Sequence, residues 1–258
     1  MTTPTPTDEG PAIRTDVPIS MHPGSLNPLT RTLNQEGTVG ARALGIARSA
    51  MTAAYAAYAN VEDAVQSLPL GDEVRMVNGR PTKLAIGAID QLVTATEAAS
   101  GRILASVQKS YEELEKIGAT LDERIATALD DPARKTPPGI AVATEIRGYV
   151  KGLPDAKRTA FAHAAVEAGD KATVAAILHA PAYLSGFTDK HLATLRQRAA
   201  AAFAPVDNAQ REAVQDASDK VAAAGSRLVE RFGRVRAMAS PAADNSRAKI
   251  KALAETGA

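Results

Sequence analysis

Cysteine and tryptophan are absent from this 258-residue chain, and five tyrosines and four phenylalanines bring aromatics to only 3%. The lack of cysteine excludes a disulfide framework, a thiol nucleophile and thiolate-held zinc. So few rings leave little large apolar surface for a core. No apolar run reaches the roughly 18 residues needed to cross a bilayer; the stretch 50–59, AMTAAYAAYA, is short and alanine-rich. Met1 is followed by Thr-Thr-Pro-Thr-Pro, without the basic and apolar regions of a secretory leader, so a soluble chain with no membrane span is expected.

Catalytic signatures are missing too. The chain holds no G-x-x-x-x-G-K-S/T or G-x-G-x-x-G phosphate loop and no G-x-S-x-G nucleophile turn. Its four histidines, His22, His163, His179 and His191, contain no i,i+4 pair and no His-Glu-x-x-His. Glu112 with Glu113, and Asp130 with Asp131, are adjacent rather than stacked one helical turn apart. The expectation is a non-enzyme with no cofactor and no metal.

What the chain has is alanine, about one residue in five, the strongest helix former and a minor contributor of buried area. Helices form readily from such a sequence, but each buries little, and stability by association is expected. Residues 84–129 carry the longest helical pattern: from Ile103 onward, Val107, Tyr111, Leu114, Ile117, Leu121, Ile125 and Leu129 follow at steps of 3 or 4. At 1.5 Å per residue this is a rod of about 65 Å, which must lie against other long helices. The fold class is therefore all-α: long amphipathic helices in a bundle or coiled-coil-like rod, one small β-hairpin, and an extended N-terminal arm.

In chain order, residues 1–37 read as an extended arm, with Pro4, Pro6, Pro11, Pro18, Pro23 and Pro28 spread through it. Val17, Ile19, Met21, Leu26, Leu29 and Leu33 would anchor it as a strap on a neighbouring subunit. Residues 38–132 read as a hairpin of long helices, the first ended by Pro69 and Gly71. Between them, 73–84 is a β-hairpin around Asn78-Gly79, the pair favoured in a type I′ turn, with Pro81 restricting its strand to an edge. Residues 133–139, with Pro137 and Pro138, read as a linker and domain boundary. Residues 140–186 read as a small helical module, stopped at Gly169 and restarted by Asp170 as a cap. Residues 187–258 hold long C-terminal helices, capped at Thr188, kinked at Pro205, and basic at their end.

Charge is distributed unevenly. Residues 1–130 hold 11 Lys/Arg against 16 Asp/Glu, and residues 131–258 hold 19 against 13. Between 227 and 251, Arg227, Arg231, Arg234, Arg236, Arg247, Lys249 and Lys251 face only Glu230 and Asp244. Arg227, Arg231 and Arg234 step by 4 and 3 and so share a helix face. Arginines in that pattern can grip phosphates without reading sequence; equally, they can pair with the acidic N-terminal half of a partner or solvate one helix side. Arg227, Arg231, Arg234, Arg236, Lys249 and Lys251 are thus the candidate contacts to phosphate or an acidic partner.

The proline-rich arm and the stretch 168–186, AGDKATVAAILHAPAYLSG, resemble the alanine-rich helical proteins encoded among the structural genes of tailed bacteriophages and prophages. That resemblance implies a non-enzymatic, multi-copy virion component at a head, portal or tail, present in the bacterial cytoplasm during assembly. Its partners would be copies of itself and other particle proteins, with non-specific nucleic-acid contact through the basic end. The alternatives are a phasin-like protein coating polymer granules with amphipathic helices, and a scaffolding or DNA-organising protein.

Overall fold

The computed structural model describes residues 10–34, 38–77 and 80–239. Among these are nine α-helices and a single antiparallel pair of strands, which bears out the all-α class and the one hairpin. Two compact units result: residues 1–115 with 216–258, and residues 116–215. The division falls inside two long helices, α3 (Ile86–Leu129) and α9 (Pro205–Arg236), and not at the linker expected over 133–139. That segment is a 3-10 turn, Pro132–Lys135, followed by the start of α4 (Pro137–Gly152). Proline at the first helical position has no amide to lose and a φ already suited to the helix. Thr136 caps α4 by accepting from the Gly139 N–H at 3.2 Å. Glycine is required there, because a Cβ on residue 139 would collide with the Ala133 carbonyl oxygen.

In the first unit, residues 10–34 are not an extended arm on another chain. Two 3-10 turns, Ile19–Met21 and Pro23–Leu26, lead into α1 (Asn27–Leu33), and all three pack on α2 (Val39–Gln66) of the same chain. The expected anchors Val17, Met21, Leu26 and Leu33 are at most 3% exposed, whereas Ile19 is 62% exposed. The physical reason is α2 itself. Thr38 caps it, and the small residues Ala43, Ala47, Ala50 and Ala54 on its buried face leave room for a strap.

β1 (Glu73–Val77) and β2 (Arg80–Leu84) pair in register, Val77 opposite Arg80; the turn residues Asn78 and Gly79 lie outside the described residues. The hairpin is stabilised by its own unit. Leu84 joins a cluster with Val65 of α2, Ile89 and Val93 of α3, Val235 of α9 and Met238 in the turn just after it. Each such aliphatic side chain, fully buried, contributes about 1.5–3 kcal/mol. This small cluster offsets the marginal stability of an isolated two-stranded pair.

The second unit contains α4, α5 (Asp155–Glu167), α6 (Lys171–Leu178), α7 (Ala182–Ser185) and α8 (Asp189–Phe203), with the adjoining parts of α3 and α9. Gly169 and Gly186 both have φ near +72° and end helices in the left-handed region. Asp170 and Thr188 cap α6 and α8 through the amides of Thr173 and His191. At Pro205 the chain breaks rather than kinks: α8 ends at Phe203, and α9 begins on the proline. The core includes Leu129, Val150, Val166, Val174, Ile177, Phe187, Leu195 and Ala199.

Candidate functional site

The four described arginines of the basic end lie in the first unit, but not as an exposed row. Arg231 is 2% exposed and Glu62 of α2 is 5% exposed. Arg231 Nε lies 2.8 Å from Glu62 Oε1, and Nη2 donates to Oε2 at 2.9 Å. Arg234 Nη2 donates to the Tyr58 hydroxyl at 3.1 Å. Arg236 lies 3.5 Å from Glu97, with both side chains exposed, and Arg227 lies 3.4 Å from Glu230. Arg231 is therefore withdrawn from the phosphate-facing row expected of Arg227, Arg231 and Arg234. Two acidic partners, Glu62 and Glu97, do come from the acidic half, but from this same chain. Arg247, Lys249 and Lys251 lie outside the described residues.

A sequence signal for the buried pair existed. Glu62 sits on the stripe Tyr55, Tyr58, Glu62, Val65, and Arg231 on the stripe Leu228, Arg231, Val235. One carboxylate and one guanidinium each interrupting an apolar stripe is the mark of a buried ion pair, because an unpaired charge there is prohibitively costly.

A second polar group fastens the strap. The Arg14 backbone N–H donates to the Tyr55 hydroxyl at 2.7 Å, and that hydroxyl donates to the Ala12 carbonyl at 3.1 Å. The Arg14 guanidinium bridges Asp16 at 2.6 Å and Asp63 at 2.5 Å. Hydrogen bonding to Arg14 holds both carboxyls below their ordinary range and raises the arginine further. His22 Nδ1 accepts from Gly24 N–H at 3.0 Å, and Nε2 lies 2.6 Å from the Pro11 carbonyl. A proton on Nε2 satisfies both contacts.

An apolar groove of about 830 Å³ lies in the first unit between α3 and α9. Leu104, Val107 and Tyr111 line one wall, and Ala222, Gly225 and Val229 the other. A smaller pocket of about 190 Å³ shares Leu104 and Val229 and continues to Val93 and Arg236. Val229 is 55% exposed. A Cβ on Gly225 would stand 3.3 Å from Val107 Cγ1, so the glycine sets how closely the walls approach.

In the second unit, Asp130 accepts from Arg134 at 2.9 Å and lies 2.9 Å from Lys135 Nζ and 3.6 Å from His179 Nε2. Hydrogen bonds from Lys135 and Arg134 lower its pKa to about 2. Burial, reinforced by Arg134, lowers that of His179 despite the nearby Asp130. In both cases the unfolded state binds more protons at intermediate pH, so stability falls on acidification. The His179 contribution is lost below about pH 6.5, and the Asp130 contribution from about pH 4 toward 2. Thermal melts across this range should show both steps, with His179→Gln flattening the upper and Asp130→Asn the lower. Unchanged melting between pH 6.5 and 5 would contradict the role given to His179.

The remaining histidines are dispersed: His163 Nδ1 lies 3.4 Å from Arg198, and His191 stacks edge-on to Phe187. Among the described residues, no group of three His, Asp or Glu side chains is placed to hold a metal ion. No helix among them is long and apolar enough to cross a membrane. No known family model, curated protein or solved structure matches this chain.

Proposed function

We propose that this chain is a non-enzymatic structural protein that works in multiple copies, as a component of a tailed-phage particle. The observation that carries the reading is the apolar groove between α3 and α9 with Val229 half exposed in it. It is a surface built to be covered, beside polar side chains already engaged in holding helices and strap together. Arg231 binds Glu62, Arg234 binds Tyr58, and Arg14 binds Asp16 and Asp63. Groups so committed serve architecture better than proton transfer. The same commitments favour protein contacts over phosphate contacts at the basic end.

Sedimentation and DNA retention test this together. The expected result is a self-associating species at micromolar concentration, with negligible DNA retention at every salt concentration. Mass spectrometry of purified particles should find the chain in stoichiometric amount. A monomer absent from particles would overturn the proposal. Strong retention that falls steeply with salt would favour the DNA-organising alternative, since counterion release gives that dependence.

A further inference from the structure

We infer that the α3–α9 groove is occupied by α9 of a second copy of this chain, packed antiparallel about a two-fold axis between Gly225 and Ser226. The inference rests on the multi-copy reading above and specifies its contact. Ala222, Gly225, Ser226 and Val229 lie at steps of 3, 1 and 3 on the groove side of α9, the spacing of one helical stripe. Three of the four are small, so a second helix can approach closely, and Val229 supplies an apolar knob that is 55% exposed.

An antiparallel two-fold gives each of these residues a counterpart. Positions equidistant from the axis face each other, so Val229 meets Ala222 of the second copy and Gly225 meets its Ser226. The knob thus enters the space that alanine leaves, twice over, as an isologous contact requires.

Charge fixes the direction and the occupant. Asp216 and Asp219 precede the stripe, while Arg234 and Arg236 follow it, Arg236 being 72% exposed. The acidic and basic ends stand about 15 Å either side of the axis at 1.5 Å per residue. Antiparallel pairing sets the acidic end of each helix beside the basic end of the other; parallel pairing would set like beside like. Asp216 also bonds Lys220 at 2.6 Å, and Arg236 approaches Glu97 at 3.5 Å. Such exposed pairs are individually weak, so they can be shared across an interface. The occupant that carries this complementary pattern at the matching spacing is another copy of the same helix.

Because the chain contains no cysteine, a single introduced thiol reports the contact. Full-length Ser226→Cys should form a disulfide-linked dimer on mild oxidation, while Tyr183→Cys, also at an exposed position but in the second unit, should not. Val229→Arg, on an exposed position that leaves the core intact, should weaken self-association about tenfold or more with unchanged helix content. Self-association with no Ser226→Cys dimer and no effect of Val229→Arg would overturn this interface and leave the multi-copy reading standing. A monomer throughout would overturn both.

Discussion

Arg231→Met should destabilise the first unit by about 3–5 kcal/mol, the loss typical when one member of a buried ion pair is removed. Arg231 and Glu62 are nearly sealed from solvent, and the guanidinium meets both carboxylate oxygens. With Arg231 gone, Glu62 is left charged in an apolar setting beside Val65, and must either take up a proton or draw water into the helix contact. Glu62→Gln should be milder, because its amide oxygen still accepts from the guanidinium, though the arginine charge is left uncompensated. The double replacement Glu62→Leu with Arg231→Met removes both desolvation costs and should return stability to within about 1 kcal/mol of the parent or above it. Denaturant melts of the parent, Glu62→Leu, Arg231→Met and the double variant form a double-mutant cycle. Additive losses, with the double variant the least stable, would show that the two groups are not coupled. The same variants separate stability from DNA contact: if Arg231 were a phosphate ligand, Arg231→Met would change retention without changing the melt.

Arg158→Ala should cost the second unit about 3 kcal/mol, because one partly buried guanidinium holds the end of α4 and the turn before α8 together. Its Nε donates to the Val150 carbonyl at 3.2 Å, and Nη2 to those of Leu153 at 2.9 Å and Lys151 at 3.3 Å. Nη1 donates to the carbonyl of Gly186. Removing the fork takes a donor from each of these carbonyls; that of Val150 keeps the Leu153 N–H at 3.1 Å, and the loss is about 1–3 kcal/mol for each that is left unpaired and that water cannot reach. Arg158→Lys should recover less than half of the loss, since a single ammonium cannot span carbonyls on both sides of a planar fork. Asp155→Ala should change little, because Asp155 is 91% exposed and its pair with Arg158 is a surface contact. Hydrogen exchange in residues 137–200 reads these effects locally. A loss under about 1 kcal/mol in Arg158→Ala would mean that water replaces the guanidinium at these carbonyls.

By itself the sequence determined what is local: the helical stripes, the caps at Asp170 and Thr188, the stop at Gly169, and the hairpin strands over 73–84. Each depends on residue spacing within a few turns or on one side chain meeting a nearby amide. The apolar stripe from Ile103 to Leu129 and the one at Val221, Leu228, Phe232 and Val235 likewise needed no partner to be recognised. Only the tertiary structure decided which surfaces those stripes meet. The proline-rich residues 10–34 read as a strap in either case. That they lie on α2 of their own chain follows from a face of small alanines and from Tyr55 and Asp63 standing where Arg14 can reach them. The basic end shows the same limit more sharply. Spacing places Arg227, Arg231 and Arg234 on one helix face, but only the position of α2 determines that Arg231 turns inward to Glu62, 169 residues away in sequence. Helical periodicity specifies a side chain's angle about its own axis; the neighbouring helix decides whether that angle points to water or to a buried carboxylate.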